Sequence, residues 1–289
     1  MNASADSSGT TIGCLLLPHF SLLEYSSVSE VLAQANEHQG RPLYQVHTLG
    51  VETPAVSQGG IKVSCESALF APKLDILVVF ATRRTPQYCG DEIIQWLQAQ
   101  SNQGVELVGV GDGIQWLART GLLRNKTLTV PWWDRLEARN RLPDSELRNC
   151  LYLNQDNLSS VAGGISALHW ILDRIRKNQG EALASTLADH LLIERIRSGD
   201  ELQRVPLQSR LGQSQPKLTE AVALMEANIE EPLTTEDIAA HVGLSRRQLE
   251  RLFKRYLNTV PSRYYLQIRL ERARKLLRET SLLYCRYRS

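Results

Sequence analysis

Apolar runs of strand length alternate with segments of helical spacing over the first two thirds of the chain. Five runs are suited to strands, at residues 12–17, 44–49, 74–80, 105–110 and 158–160. Helical spacing is found between and after them, at residues 25–35, 91–100, 114–118, 166–177 and 181–196. Alternation of this kind predicts an α/β domain with a mostly parallel sheet.

A polar segment separates this domain from the C-terminal part of the chain. Residues 197–215 have few large apolar side chains and much Gly, Gln, Ser and Pro, which is typical of a linker. We therefore predict the α/β domain at residues 11–196, a linker at 197–215 and a small all-α domain at 216–289. The polar residues 1–10 are expected to form a disordered lead. A length of 289 residues suits two domains.

The stretch 231–279 has the pattern of a helix-turn-helix DNA reader. Thr235 is the expected N-cap of a short first helix, Gly243 ends that helix, and Ser245 caps the next one. The second helix has an apolar face at helical spacing. Its opposite face carries long side chains whose hydrogen-bond donors can reach base edges and phosphates in a major groove. They are Arg246, Arg247, Gln248, Arg251, Lys254 and Arg255. Charge alone favours a solvated basic face, whereas the ordered helix–Gly–Ser–helix pattern favours DNA binding.

The charge distribution agrees with a nucleic-acid partner. Between Ser245 and Arg278 eleven Lys and Arg residues oppose two acids, a local net charge of +9, while the whole chain carries only +2. The remainder therefore sums to −7, and basic charge is concentrated at one end. Arg269, on the long helix that follows, is expected to contact phosphate.

The residues of this region resemble an AraC/XylS-type DNA-binding domain over about residues 215–280. The resemblance rests on Gly243-Leu244-Ser245, Leu249, Arg251, Phe253, Pro261, Tyr265, Arg269 and Ala273. It implies two helix-turn-helix units joined by a linker helix, which residues 262–278 resemble. Because the sequence ends after SLLYCRYRS, the resemblance predicts a C-terminally truncated reader that lacks the second unit.

The first domain resembles the ThiJ/PfpI branch of the class I glutamine amidotransferase-like fold, which is flavodoxin-like. The matching segments are residues 15–32, 74–80, 107–130 and 159–175. Joined to an AraC-type reader, this domain is similar to that of the GlxA-like regulators. That resemblance implies a sensor for a small nitrogenous metabolite, such as an amino acid or a betaine, and a homodimer that binds paired half-sites on double-stranded DNA.

The reactive positions of the ThiJ/PfpI fold argue against catalysis. The resemblance places its acidic residue at Glu24, its nucleophile at Gly111 and its histidine at Pro131. A thiolate nucleophile needs sulfur and usually an adjacent base, and neither glycine nor proline supplies them. We therefore expect a binding pocket and no enzyme, with a ThiJ/PfpI-type amidase or glyoxalase-like enzyme as the weaker alternative.

The candidate ligand-binding residues are Glu24, Gly111, Asp112, Gly113 and Trp132. The turn at residues 111–113 follows a strand, where open α/β sheets bind ligands. Glu24 binds a cation or is a solvated loop acid, and Asp112 binds a polar group or caps the next helix. Trp132 either stacks on a cation in the ligand or is a packing residue of the domain.

The remaining composition excludes several classes of protein. Five scattered cysteines indicate reduced thiols, and the absence of a close Cys/His cluster predicts neither a metal nor a cofactor. No run of eighteen apolar residues and no secretory signal is visible, so a cytoplasmic protein without a membrane span is expected. Another alternative is a truncated protein that senses and dimerises without binding DNA.

Overall fold

The computed structural model describes residues 9–85, 90–203 and 215–279. The chain divides into two compact units, Met1–Gln203 and Arg204–Ser289. Within the described ranges, none of the helices is both long and apolar enough to cross a membrane.

The first unit is built from eleven described strands and six described α-helices. The strands are β1 Thr10–Leu16, β2 Tyr44–Gly50, β3 Ala55–Val56, β4 Lys62–Val63, β5 Glu66–Ser67, β6 Ile76–Ala81, β7 Glu106–Gly111, β8 Thr127–Thr129, β9 Glu146–Arg148, β10 Tyr152–Gln155 and β11 Leu158–Val161. The helices are α1 Leu22–Gln39, α2 Gly90–Asn102, α3 Gly113–Arg119, α4 Arg135–Arg141, α5 Ser166–Gln179 and α6 Glu181–His190, with a 3₁₀ turn at Ala68–Phe70.

The central sheet confirms the predicted α/β class. Its seven strands lie in the order β10-β11-β7-β6-β1-β2-β5. Neighbouring strands pair in parallel throughout, except for β10, which is antiparallel to β11. Strand β6 is buried along its whole length, as expected of a parallel strand that is covered on both faces.

Helices cover the two faces of the sheet and create two apolar cores. Along β1, Ile12 and Leu16 belong to the core formed with α1, α5 and α6. Leu15 and Leu17 belong to the other core, which includes residues of α2 and α3. Alternate side chains of a strand point to opposite faces, so one apolar run contributes to both cores.

The order of the strands brings several loops to one edge of the sheet. The chain leaves β1 for its neighbour β2 and later returns to β6 on the other side of β1. The carboxyl ends of β1 and β6 therefore flank the switch point, where open α/β sheets bind ligands. Helix α1 begins after β1, and the turn at Gly111 ends β7, next to β6.

The first unit extends beyond the predicted end at residue 196. Helix α6 ends at His190, and Leu192 has a φ of 55°. The chain then returns to the α/β unit, where the N–H of Arg197 donates to Nδ1 of His169 at 3.3 Å. The amide of Gln203 donates to two backbone carbonyl groups, those of residues 130 and 150. The predicted linker therefore begins too early, and residues 204–214 lie outside the described part.

The predicted disordered lead overlaps the first strand. Thr10 begins β1, and its N–H donates to the carbonyl of Leu43 at 2.9 Å. The strand therefore starts within the lead, because pairing with the chain before β2 orders this polar residue. The earlier residues 1–8 lie outside the described ranges.

The second unit consists of four described helices around a small core. They are α7 Pro216–Ala227, α8 Thr235–His241, α9 Arg246–Leu257 and α10 Pro261–Glu279. Leu249 and Phe253 of α9 are buried against residues of α7 and α8, as the predicted apolar face requires. This arrangement confirms the predicted all-α helix-turn-helix unit.

The turn between α8 and α9 follows the prediction except at its first cap. Gly243 has a φ of 67°, and Ser245 caps α9. The N-cap of α8 is Thr234, so the prediction of Thr235 was wrong by one position. Thr234 is preferred because its hydroxyl accepts the N–H of Asp237 while the Asp237 carboxylate accepts the N–H of Thr234.

Candidate functional site

Glu24 is buried where α1, the end of β7 and the loop after β11 meet. Ser21 caps α1 by accepting the N–H of Glu24 at 3.4 Å. The Glu24 carboxyl is turned inward, and its Oε1 accepts the N–H of Gly164 at 2.7 Å. A Cβ on Gly163 would lie 2.6 Å from the same oxygen. Only glycine at position 163 therefore lets this loop approach the carboxyl.

Gly111 also lies against the Glu24 carboxyl, next to Gly163. It ends β7 with a φ of 56°, a conformation that glycine adopts without a steric penalty. A Cβ on Gly111 would lie 3.1 Å from Oε1 and 3.2 Å from Oε2 of Glu24. The structure thus brings together Glu24 and Gly111, two of the predicted ligand-binding residues, and adds Gly164, which is not among those predicted residues.

Burial changes the acidity of Glu24. Loss of solvation raises the pKa of its carboxyl to about 7, with the N–H of Gly164 acting in the opposite direction and the charge of Asp112 raising it further. Loss of solvation disfavours the charged form of a carboxyl group. Glu24 is therefore not a solvated loop acid, and that alternative is wrong.

Asp112 and Gly113 have different surroundings. Asp112 occupies the N-cap position of α3 but makes no capping bond. Its carboxylate instead accepts the side-chain amide of Gln115 at 3.0 Å, so the interpretation of Asp112 as a helix cap is wrong. Gly113 has a purely steric explanation, because a Cβ there would lie 2.0 Å from the carbonyl oxygen of Val79.

Asp134 forms an ion-pair cluster next to Asp112. Its side chain is fully buried and accepts Arg83 at 3.2 Å and Arg141 at 2.8 Å. The amide of Gln115 donates to both Asp112 and Asp134, which links the cluster to the turn after β7. Burial, and next the charge of Asp134, raise the pKa of Asp112 to about 6, although the two arginines act against this.

Sequence analysis missed Asp134 because its partners are distant along the chain. The available signal was an acid directly after the two tryptophans of the segment that begins at Pro131. Pro131, which takes the place of the histidine of the ThiJ/PfpI fold, is buried, and its carbonyl accepts the N–H of Asp134. Pro131 therefore forms part of the turn that positions Asp134. It supplies no base.

Trp132 is connected to the ion-pair cluster of Asp134 through its neighbour Trp133. Its N–H donates to Oε1 of Gln203 at 2.8 Å, and its ring meets that of Trp133 edge-on at 5.5 Å. The carbonyl of Trp133 in turn accepts Arg83. Trp132 is half-buried, and its role in ligand binding stays a prediction.

The predicted DNA-reading residues divide into two groups. Arg247, Arg251 and Lys254 are exposed on α9, and no ion pair involves them within the described part of the chain. Arg255 is also exposed, and its guanidinium lies 5.5 Å from the ring of Tyr256. These side chains are free to meet a nucleic acid.

The other three predicted residues are bonded within the motif. Arg246 contacts Glu236 of α8 and Glu250 of α9. The amide oxygen of Gln248 accepts the N–H of Ser245 at 2.8 Å, completing a capping box. The Arg269 guanidinium donates to the carbonyl of residue 229 at 3.1 Å. Each of these bonds fixes the shape of the helix-turn-helix unit.

Known transcriptional regulators resemble this chain over most of its length. A helix-turn-helix domain family model matches residues 238–283. The HTH-type transcriptional regulator GbdR of Pseudomonas aeruginosa is 39% identical over 274 residues, which cover 94% of this chain and 75% of GbdR. ArgR of the same species is 39% identical over 279 residues, 93% of this chain and 82% of ArgR. GlxA of Rhizobium meliloti is 30% identical over 293 residues, 98% of this chain and 88% of GlxA.

The chain belongs to the AraC family of transcriptional regulators. Among solved structures, an AraC family regulator from Pseudomonas putida superposes with a TM-score of 0.57 at 25% identity, covering 63% of this chain and 99% of its own. A ThiJ/PfpI family protein from Pseudomonas syringae gives 0.57 at 13% identity, covering 65% and 76%. The latter likeness concerns the fold alone.

These comparisons confirm the predicted combination of domains. The chain is a DNA-binding transcription regulator with a ThiJ/PfpI-like first domain, and GlxA is among its relatives. The relatives named above are all transcriptional regulators, which favours a role other than catalysis. Residues 280–289, on which the predicted truncation depends, lie outside the described residues.

Proposed function

We propose that this AraC-family regulator senses a small cationic nitrogenous metabolite, such as an amino acid or a betaine, in its first domain. The observation that carries the proposal is the buried carboxyl of Glu24, which lies directly against the place where a side chain on Gly111 would begin. A buried carboxylate is costly unless it meets a cation. An ammonium or guanidinium group in that position supplies the missing charge.

The same position explains why binding is not followed by a reaction. Gly111 offers no nucleophile, and Pro131 offers no base. The turn at Gly111, where the ThiJ/PfpI fold carries its nucleophile, is therefore retained as part of a binding site. The alternative of a ThiJ/PfpI-type amidase or glyoxalase-like enzyme requires chemistry that these two residues lack.

A ligand screen tests the sensor proposal. The full chain is titrated with glycine betaine, L-lysine and L-arginine, and binding is followed by thermal shift and calorimetry. The Glu24→Gln variant keeps an acceptor for the N–H of Gly164 but lacks the charge, so binding should weaken about 10- to 100-fold, the usual scale for a hydrogen bond to a charged group. The matched control is Glu30→Gln, an exposed residue of the same helix. Equal affinity of the two variants would refute the assignment.

We further propose a division of labour on the DNA-reading helix. Arg247, Arg251 and Lys254 contact DNA, with Arg255 beside them, because they are exposed and unpaired within the described residues. Arg246, Gln248 and Arg269 act mainly by holding the unit in shape. The Arg251→Ala variant should lose about 1–3 kcal/mol at one base position, whereas Gln248→Ala should weaken binding to every sequence alike. Loss of one base preference in Gln248→Ala would contradict this division.

The proposed regulator acts as a homodimer, because paired half-sites need two readers. The remaining alternative is a sensor that dimerises without binding DNA. Titration of the chain against its own upstream region and against random DNA, over a range of salt concentrations, separates the two. Selective, saturable binding supports the regulator. Weak binding that is equal on both DNAs and disappears at moderate salt supports the alternative, because non-specific binding is mainly electrostatic.

A further inference from the structure

The Glu24 carboxyl is buried without a counterion. Glu24 is 8% exposed, and within the described residues its carboxyl accepts a hydrogen bond from the peptide N–H of Gly164. No lysine, arginine or histidine among the described residues forms an ion pair with it or stabilises its charge. An isolated carboxylate in such surroundings is unfavourable, and the group either holds a proton or meets a cation.

The neighbouring charges make the ionised form less favourable still. From the turn after β7, Asp112 opposes ionisation of Glu24. The loop after β11 contributes peptide groups of Gly163 and Gly164 only. Arg83 and Arg141 act on the charge of Asp112, but both are bonded to Asp134, and Arg141 also pairs with Glu137. Neither arginine stabilises the charge of Glu24, so its carboxylate lacks a positive partner when it is ionised.

The side of the carboxyl that faces Gly111 has no side chain on it. The three atoms closest to a Cβ built on Gly111 are all carboxyl atoms of Glu24, at 3.1 to 3.5 Å. A side chain at position 111 would therefore begin in tight contact with both oxygen atoms, and glycine leaves this place to another group. A cationic head group that takes this place would contact the oxygen atoms directly.

We infer that a proton and the cationic head group of the effector compete for the Glu24 carboxyl, so that effector binding releases this proton. The inference rests on the proposed function, because it concerns the same site. The exchange is balanced: the O–H bond of the carboxyl breaks, the proton passes to the solvent, and the carboxylate remains paired with the incoming cation. Net charge at the site is unchanged.

This exchange makes ligand binding depend on pH. Below the pKa of Glu24, which burial raises to about 7, a cation must displace a proton. The affinity should then rise about tenfold per pH unit and level off above that pKa. Near neutral pH, about half a proton should be released per ligand, because the carboxyl is then about half protonated. A neutral ligand of the same shape has no charge with which to displace the proton.

A matched pair of probes and a second cation test the exchange on the full chain. Choline is compared with 3,3-dimethylbutan-1-ol, in which carbon replaces the charged nitrogen, and L-arginine is the second cationic probe. Calorimetry at about pH 6, 7 and 8, in phosphate and in zwitterionic buffers with a larger heat of ionisation, measures the released protons from the difference in heat between buffers. Glu24→Gln is the test variant and Glu30→Gln the control.

The expected result is that at least one cationic probe binds with proton release and with an affinity that rises with pH. Both effects disappear in Glu24→Gln and persist in Glu30→Gln, and the neutral partner binds without releasing a proton. Binding of a cation that depends on Glu24 but releases no proton would overturn the exchange and leave the sensor proposal standing. If neither cation binds at millimolar concentration, both the exchange and the proposed cationic effector class are overturned.

Discussion

Replacing Glu24 by Gln should change how the stability of the first unit depends on pH, even without a ligand. The pKa of Glu24 rises from its ordinary value of 4.5 to about 7 on folding, mainly through burial. The folded state therefore holds a proton that the unfolded state loses above about pH 4.5. Stability contributed by the neutral carboxyl is present below that pH and is lost as the pH rises towards 7.

The size of the effect follows from the shift. One pKa unit corresponds to about 1.4 kcal/mol, so the wild-type protein should lose up to about 3 kcal/mol relative to Glu24→Gln between about pH 4.5 and 8. Asp112, whose pKa burial raises to about 6, contributes a loss of the same sign to both proteins. It largely cancels in the difference, apart from its direct interaction with Glu24.

Tryptophan fluorescence in urea measures this difference. All five tryptophans lie between residues 96 and 170, so their emission reports on the first unit and not on the helix-turn-helix unit. The free energies of unfolding of Glu24→Gln and wild type should diverge as the pH rises, with the variant gaining relative stability. Glu30→Gln should follow the wild-type curve. Parallel curves for Glu24→Gln and wild type would refute an uncharged, buried Glu24.

Other changes have equally definite outcomes. Gly111→Ala should lower the stability of the first unit by about 1–2 kcal/mol in the same urea assay, because the φ of 56° disfavours a Cβ; an unchanged stability would contradict the left-handed conformation of Gly111. Asp134→Asn should lower the pKa of Asp112, since the charge of Asp134 raises it, and NMR titration of the carboxyl carbons measures the direction. Tyr265→Phe should cost about 1–3 kcal/mol, because the Tyr265 hydroxyl bonds to the backbone of Asn228 and Leu233. Thermal unfolding of a fragment spanning residues 215–289 checks this if the fragment folds, and an unchanged midpoint would refute it.

Local pattern in the sequence was sufficient for the five main strands of the central sheet and for the class of protein, but not for the shorter strands. Apolar runs of strand length and helical spacing predicted the α/β order, because burial on both faces of a parallel sheet demands such runs. Gly243 and Ser245 predicted the turn of the DNA reader, because a left-handed residue and a helix cap are local requirements. The turn at Gly111 was also predicted, since a strand followed by a glycine-rich turn and a helix is a short-range signal.

The tertiary structure alone decided which side chains work together. Glu24 bonds to Gly164, 140 positions later in the chain, and Gln203 bonds to residues of the α/β unit that no composition of a linker reveals. In the same way, the sequence placed Arg246 and Gln248 on a basic face, and the structure shows both bonded within their own motif. Periodicity records which face of an element is buried. It carries no information about which distant group meets a buried polar side chain, because that depends on how the elements pack.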